Sequence, residues 1–134
     1  MTMPEVNYLA ILLCGISSMV LGAIWYAPPI FGRAWQRGVG LTDENLAAGN
    51  MALIYGLAFL LSLAAAWVFA MFLGPNMGLG PSTAAGAAAG IFWVAASFGI
   101  SYLFERRGLA MWLINGGYHA AQFTLFGLIL GLMS

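Results

Sequence analysis

The chain has 134 residues, of which 63% are hydrophobic and only 6% are charged, and its mean hydropathy is +0.94. Ordinary soluble domains carry roughly 25% charged residues, so this composition excludes a water-soluble fold. The net charge is zero and the only basic side chains are four arginines, which excludes nucleic acid as a partner because a row of phosphates could not be neutralised. Cys14 is the single cysteine, so no intramolecular disulfide can form.

Four uncharged stretches are long enough to cross a bilayer, which takes about 20 helical residues for a hydrocarbon core of roughly 30 Å. They lie approximately at residues 7–27, 51–73, 82–104 and 109–133. In lipid every backbone polar group must be paired within its own segment, so these stretches are predicted to be helices. The sequence therefore predicts an all-α membrane protein, with residues 1–134 forming one domain of four transmembrane helices in a compact bundle.

The arginines predict the orientation, because basic residues close to the ends of a span are retained in the cytoplasm. All four lie in the loop at residues 28–50, here called loop one, or in the short loop that precedes residue 109. The N-terminal tail, the loop at 74–81 and the C-terminus carry none. Both termini are therefore expected on the non-cytoplasmic side of the inner (plasma) membrane.

Loop one has structure of its own. Trp25, Tyr26 and Trp35 are amphipathic aromatics suited to anchoring at the headgroup level, and Pro28 with Pro29 is expected to stop the first helix. Loop one is thus predicted to run along the cytoplasmic interface.

A helix N-terminus is predicted near the end of loop one. Thr42 can cap a helix, and Asp43 with Glu44 would then lie in its first turn, where the helix dipole favours carboxylates. The second transmembrane helix is therefore expected to begin there, before its membrane part.

A short pattern, M-x-L-I-x-G, occurs once in the second span and once in the fourth. The matching residues are Met51, Leu53, Ile54 and Gly56, and Met111, Leu113, Ile114 and Gly116. This repetition leaves open that the chain consists of two related helical hairpins arranged in parallel. Chance identity in apolar sequence is the alternative.

The chain resembles the bacterial and fungal membrane proteins known as domain of unknown function 1761. The first half carries the resemblance through Gly22, Trp25, Tyr26, Pro28, Phe31, Gly32, Trp35, Ala48, Gly49, Asn50 and Met51. The second half does so through Tyr102, Leu103, Phe104, Glu105, Arg106, Arg107, Trp112, Leu113, Ile114, Asn115, Gly117, Tyr118 and His119. The resemblance implies a compact four-span protein and assigns no activity.

His119 is the only histidine, and it is expected roughly 15 Å deep in the fourth span, near the midplane. An ionisable group at that depth predicts a functional site. Helical spacing places Asn115 and Gln122 on the same face. The candidate polar intramembrane site comprises His119, Asn115, Gln122, Ser18, Ser62, Ser97 and Ser101. The alternative is that these side chains only hydrogen-bond one helix to another, at about 0.6 kcal/mol per bond.

A second candidate site is cytoplasmic. Arg33, Arg37, Arg106 and Arg107 are predicted on one side of the membrane, and arginine pairs bidentately with phosphate and carboxylate. They could hold an anion or a lipid headgroup. The plainer interpretation is control of orientation together with interfacial ion pairing.

Two pairs of glycines have the GxxxG spacing that allows helices to approach closely. Gly86 and Gly90 lie in the third span, and Gly127 and Gly131 lie in the fourth. They predict close packing either within one chain or in a homodimer or larger oligomer.

Three classes of function remain after these observations. The first is small-solute or ion binding and transport at the polar face around His119, and the alternative is a non-catalytic membrane subunit or assembly factor that packs against partner helices. An enzyme or redox carrier ranks last, because the sequence offers no nucleophile paired with a base, no metal-ligand cluster and no nucleotide-binding loop. No cofactor and no metal ion are expected.

Overall fold

The computed structural model describes residues 6–134, which are helical apart from short connections and contain no β-strand. The elements in chain order are α1 (Tyr8–Trp25), a π-helical turn (Pro28–Gly32), α2 (Arg33–Val39), α3 (Asp43–Ala47), α4 (Met51–Leu73), α5 (Leu79–Ala88), a π-helical stretch (Ala89–Ala95), α6 (Ala96–Glu105) and α7 (Leu109–Leu132). The segment from α5 to α6 is one continuous helix, Leu79–Glu105, here called the third long helix. The prediction of an all-α protein is confirmed for the described residues.

Within residues 6–134, three helices are long and apolar enough to cross a membrane, namely Tyr8–Trp25, Met51–Leu73 and Leu79–Glu105. Their outer surfaces carry large apolar side chains, such as Leu103 and Phe104, which are 79% and 86% exposed. Burial of such side chains from water is strongly favourable, so these surfaces belong in lipid and the protein is a membrane protein. Helix α7 is also long, with 24 residues, but its polar side chains lower its hydropathy and it is not among the three.

Helix α7 occupies the centre of the packing. It contacts α1 on one side and the third long helix on the other, and it also contacts α2. Helix α4 packs mainly against α1 and only slightly against α7. The helix with the most polar side chains is thus the one with the most protein neighbours.

Glycines bring α7 and the third long helix together. A Cβ atom built on Gly86 would overlap the carbonyl oxygen of Phe123, and one built on Gly127 would overlap the carbonyl oxygen of Ser82. A Cβ atom on Gly90 would lie 2.8 Å from the carbonyl oxygen of His119. Both GxxxG pairs therefore lie in the contact between α7 and the third long helix within one chain. An oligomer through small-residue faces stays a prediction.

The four arginines lie at one end of the long helices. Gly38 of α2 contacts the side chain of Met111 at the start of α7, which places α2 beside the loop that carries Arg106 and Arg107. At the opposite end, the Asn7 side-chain amide donates a hydrogen bond to the carbonyl of Met133 (3.1 Å). The first of these ends is called the arginine end below.

Loop one differs from the prediction in one respect. Thr42 does cap a helix, and it forms a reciprocal capping box with Asn45. That helix, α3, ends at Ala47, and Asn50 caps a separate helix, α4, through its side-chain oxygen. The expectation that the second long helix begins at Thr42 is therefore wrong, because a second N-cap residue starts the helix again at Met51.

The M-x-L-I-x-G segments have different surroundings. Met111, Ile114 and Gly116 are buried in α7, whereas the segment Met51–Gly56 is exposed and no atom lies within 4 Å of a Cβ built on Gly56. The relation between the two hairpins stays a prediction.

Replacement of Gly86 by alanine is expected to destabilise the protein by about 1–3 kcal/mol, the usual cost of overpacking. The new Cβ would overlap the main-chain carbonyl of Phe123, which cannot rotate away as a side chain can. Gly56→Ala is the matched control, since it adds the same methyl group in open space and should be neutral or gain up to about 1 kcal/mol of helix propensity. Reversible unfolding in mixed detergent micelles measures both changes. Equal stability of the two variants would show that α7 and the third long helix are not in close contact.

Candidate functional site

Gln122 joins three helices in the interior of the protein. Its side-chain amide nitrogen lies 2.9 Å from Ser18 Oγ on α1 and 3.5 Å from Ser62 Oγ on α4. Ser18 is completely enclosed, and Ser62 Oγ donates to the carbonyl of Ala58 at 2.8 Å. Three of the predicted site residues thus form one buried hydrogen-bonded group.

His119 extends this group by one more hydrogen bond, of 2.7 Å, between its Nδ1 and Gln122 Oε1. Because the amide nitrogen of Gln122 is directed to the serines, Oε1 is the acceptor and the neutral imidazole carries its proton on Nδ1. Nε2 is then left with a lone pair. It has no hydrogen-bond partner among residues 6–134, and no completely enclosed side-chain nitrogen or oxygen there lacks one. Nε2 therefore reaches an accessible surface.

Two aromatic rings hold the imidazole of His119. The Phe98 ring stacks on it with a centroid distance of 5.1 Å and an angle of 9°, and the Tyr118 ring meets it edge-on at 4.9 Å. Tyr118 is itself fixed, since its hydroxyl donates to the carbonyl of Ser18 (2.8 Å). The ring of His119 consequently has one orientation, with Nε2 as its one free polar atom.

The π-helical stretch Ala89–Ala95 contributes to this arrangement. Its hydrogen bonds span five residues, so it turns the following α6 relative to a regular α-helix. With α6 turned in this way, the Phe98 ring faces His119. The indole N–H of Trp112 donates to the carbonyl of Ala95, within the π-helical stretch (2.7 Å). Such interruptions are frequent at functional sites.

Asn115 belongs to a separate cluster, nearer the arginine end. Its side-chain oxygen accepts from the Tyr26 hydroxyl and its amide nitrogen donates to the Tyr102 oxygen, both at 2.7 Å. Trp25 donates from its indole to the carbonyl of Ile114 (2.8 Å), and the Trp35 ring packs edge-on against Tyr26. The predicted headgroup anchors Trp25, Tyr26 and Trp35 thus make specific contacts within the protein.

Ser97 and Ser101 do not join the site. Both are exposed, and Ser97 Oγ hydrogen-bonds the carbonyl of Trp93 in its own helix. The inner face of α6 carries Phe98 and Tyr102 instead, so the expected stripe of serines faces away from α7. The structure therefore does not bring these two serines to the buried hydrogen-bonded group.

The four arginines of the predicted anion or lipid site differ in their ion pairing. Arg33 pairs with Asp43 at 3.5 Å and Arg107 with Glu105 at 2.9 Å, and the latter hydrogen bond raises the pKa of the Arg107 guanidinium. Arg37 and Arg106 have no carboxylate within ion-pair distance among the described residues. Arg106 ends α6 in a left-handed conformation, with φ of 60°.

Sequence reasoning missed the aromatic part of the site. Phe98 and Tyr102 are four residues apart, and this spacing on one helical face is the signal that could have found them. Within residues 6–134, no three His, Cys, Asp or Glu side chains come together in a way that could hold a metal ion. The chemistry available at His119 is therefore that of one imidazole with an open acceptor nitrogen.

Gln122→Met keeps the approximate shape of the side chain and removes its hydrogen bonds. We expect a loss of about 1–3 kcal/mol in the free energy of unfolding, because Ser18 Oγ stays buried without its partner. Ser97→Ala is the control and should change stability by less than about 0.5 kcal/mol, as exposed substitutions usually do. Chemical unfolding followed by circular dichroism distinguishes the two. Stability equal to wild type in Gln122→Met would mean that the buried group contributes nothing to the fold.

Comparison with known proteins gives a family without an activity. No curated protein and no solved structure matches the chain significantly. The model of one family, described as a protein of unknown function, DUF1761, matches residues 9–131. This match covers all of the residues that build both clusters on α7. The chain therefore belongs to the DUF1761 family.

Proposed function

We propose that α7 is a fourth transmembrane helix. Its 24 residues would extend about 36 Å, enough to cross the roughly 30 Å hydrocarbon core. Its polar side chains lower its hydropathy, but Gln122 and Asn115 are hydrogen-bonded to neighbouring helices. The cost of taking these groups out of water is thereby offset within the protein.

With four crossings, the arginine end faces the cytoplasm and both termini face the opposite side of the inner membrane. The clustering of all four arginines at one end supports this orientation, since basic loops are retained inside. The polar cluster of Asn115, Tyr26 and Tyr102 then lies toward the cytoplasm, with His119 deeper in the membrane.

An alkaline phosphatase fused after Ser134 is expected to be active, because this reporter folds only outside the cytosol. The same reporter inserted after Gly40 should be inactive. A green fluorescent protein at each position is the complementary control, with the opposite pattern. Activity only at Gly40 would reverse the orientation, and phosphatase activity at both positions would contradict an even number of crossings.

We further propose that the protein binds a small solute or ion at His119 and that this site serves its transport across the membrane. The observation that carries this proposal is the open Nε2. Helix geometry places it about 15 Å from the arginine end, and a polar atom at that depth facing lipid alone is unfavourable. A bound solute or water would complete its hydrogen bonding.

The surroundings define what such a solute must offer. With Nδ1 protonated, Nε2 accepts a hydrogen bond, so the solute presents an N–H, an O–H or a proton. Phe98 and Tyr118 supply aromatic surface beside it, which suits the apolar part of a small amine or alcohol and attracts a cation weakly. No carboxylate lies in this part of the described chain to exchange protons with the solute.

The single histidine makes this proposal measurable by solid-state NMR of protein labelled at the imidazole nitrogens and reconstituted in bilayers. We expect a protonated Nδ1 and an unprotonated Nε2, with Nε2 shifting when methylammonium or glycerol is added. Gln122→Met should lose the fixed tautomer, whereas Ser97→Ala should behave as wild type. An Nε2 signal that responds to neither probe would contradict solute binding.

A non-catalytic membrane subunit is the second candidate, and one observation favours it. The first half of α4, from Met51 to Leu61, is exposed at every residue except the partly buried Phe59. It has lipid or a partner helix as its only possible neighbour. If the NMR probes fail and cross-linking from Tyr55 captures one defined protein, the subunit function is favoured over solute binding.

A further inference from the structure

The outer side of α2 carries a groove that the intramembrane site does not use. It has a volume of about 280 Å³ and is lined by Arg33, Gln36, Arg37, Gly40, Leu41 and Thr42. Gly40 ends α2 in a left-handed conformation, with φ of 74°, and this turn brings the following residues back beside the helix. The groove is open at the surface of the arginine end.

The charges in the groove are unequally compensated. Asp43 Oδ1 accepts a hydrogen bond from Gln36 Nε2 at 2.8 Å and also lies 3.5 Å from an Arg33 guanidinium nitrogen. Arg37, one helical turn after Arg33, has no carboxylate within ion-pair distance among residues 6–134. One guanidinium with its full set of donors therefore faces the groove.

The packing of α2 against the rest of the protein leaves the side that carries Arg33 and Arg37 at the surface. Trp35 contacts Tyr26 by its ring, and Gly38 contacts the Met111 side chain. The opposite side, with Arg33 and Arg37, is exposed. A short helix held in this way cannot turn its arginines into the protein.

Leu41 is the apolar residue that lines the groove, and two more exposed apolar side chains lie just before α2 in the sequence. Ile30 and Phe31 precede α2 and are 52% and 38% exposed, and Leu41 follows it at 40% exposed. Arginines beside exposed aliphatic and aromatic side chains are the composition of segments that lie in the headgroup region of a membrane. A soluble anion would need the arginine alone, whereas a lipid would use both features.

We propose that this groove binds the phosphate of an anionic phospholipid, with the Arg37 guanidinium as its principal ligand. Arginine holds a phosphate through two parallel hydrogen bonds. Arg33 and Gln36 flank the headgroup, and the acyl chains lie against the apolar residues beside α2. This proposal does not depend on solute binding at His119.

The test uses the full-length protein in a neutral detergent, with phosphatidylglycerol or phosphatidylcholine of the same acyl chains added one lipid at a time. Native mass spectrometry gives the bound fraction of each. Wild type should retain phosphatidylglycerol preferentially, and Arg37→Gln should bind it about fivefold more weakly, the change that one arginine makes near an anionic membrane surface. Arg37→Lys should recover part of the loss as a point charge.

Arg106→Gln is the matched control, because Arg106 also lies at the arginine end without an ion-pair partner but outside the groove. It should bind phosphatidylglycerol as wild type does. An equal loss in both variants would replace the specific site by general surface charge and overturn the proposal. Competition by millimolar inorganic phosphate would identify the site as one for a soluble anion and would equally overturn it. If Arg37→Gln does not fold, the comparison of Arg37→Lys with Arg106→Lys decides in the same way.

Discussion

The structure depends on enclosing one polar helix within apolar neighbours. Helix α7 carries Asn115, His119 and Gln122, whose polar groups would be costly in hydrocarbon. The third long helix can approach α7 closely because glycines on both helices remove the side chains between them, and the Ser82 hydroxyl adds a hydrogen bond to the Gly127 carbonyl at 2.6 Å. Close backbone packing of this kind replaces the hydrophobic drive that lipid cannot provide.

The same contacts position the candidate site. Gly90 allows the third long helix to pass directly over the backbone at His119, and the π-helical stretch that begins one residue earlier sets the direction of Phe98. Gln122 orients the imidazole from the other side while it ties α7 to α1 and α4. Stability and the tautomer of His119 are therefore linked through one amide side chain.

Much of the fold was predictable because its signals are local. Charge-free stretches predicted the long helices, the two prolines marked the end of α1, and the spacing of Asn115, His119 and Gln122 placed them on one face. The separation of α3 from α4 also had a local signal, because Asn50 is a second N-cap residue that begins a new helix at Met51.

The remaining features depend on contacts between distant residues. The direction of Ser97 and Ser101 follows from the helical phase after the π-helical stretch, which a regular periodicity of 3.6 residues does not anticipate. The division of the polar residues into two clusters depends on Tyr26 and Tyr118 reaching across between helices. Neither residue type nor spacing specifies which of several hydroxyls an amide will meet.

The uneven attachment of α4 has a consequence for how the protein responds to its bilayer. Helix α4 buries side chains mainly in its second half, at Ser62, Ala66, Phe69 and Ala70, whereas its half nearer the arginine end is exposed except for the partly buried Phe59. In a bilayer, this exposed half contacts acyl chains wherever no other helix covers it. Because Ser62 Oγ lies 3.5 Å from Gln122 Nε2, a change in the tilt of α4 with bilayer thickness would alter the hydrogen bonding of Gln122.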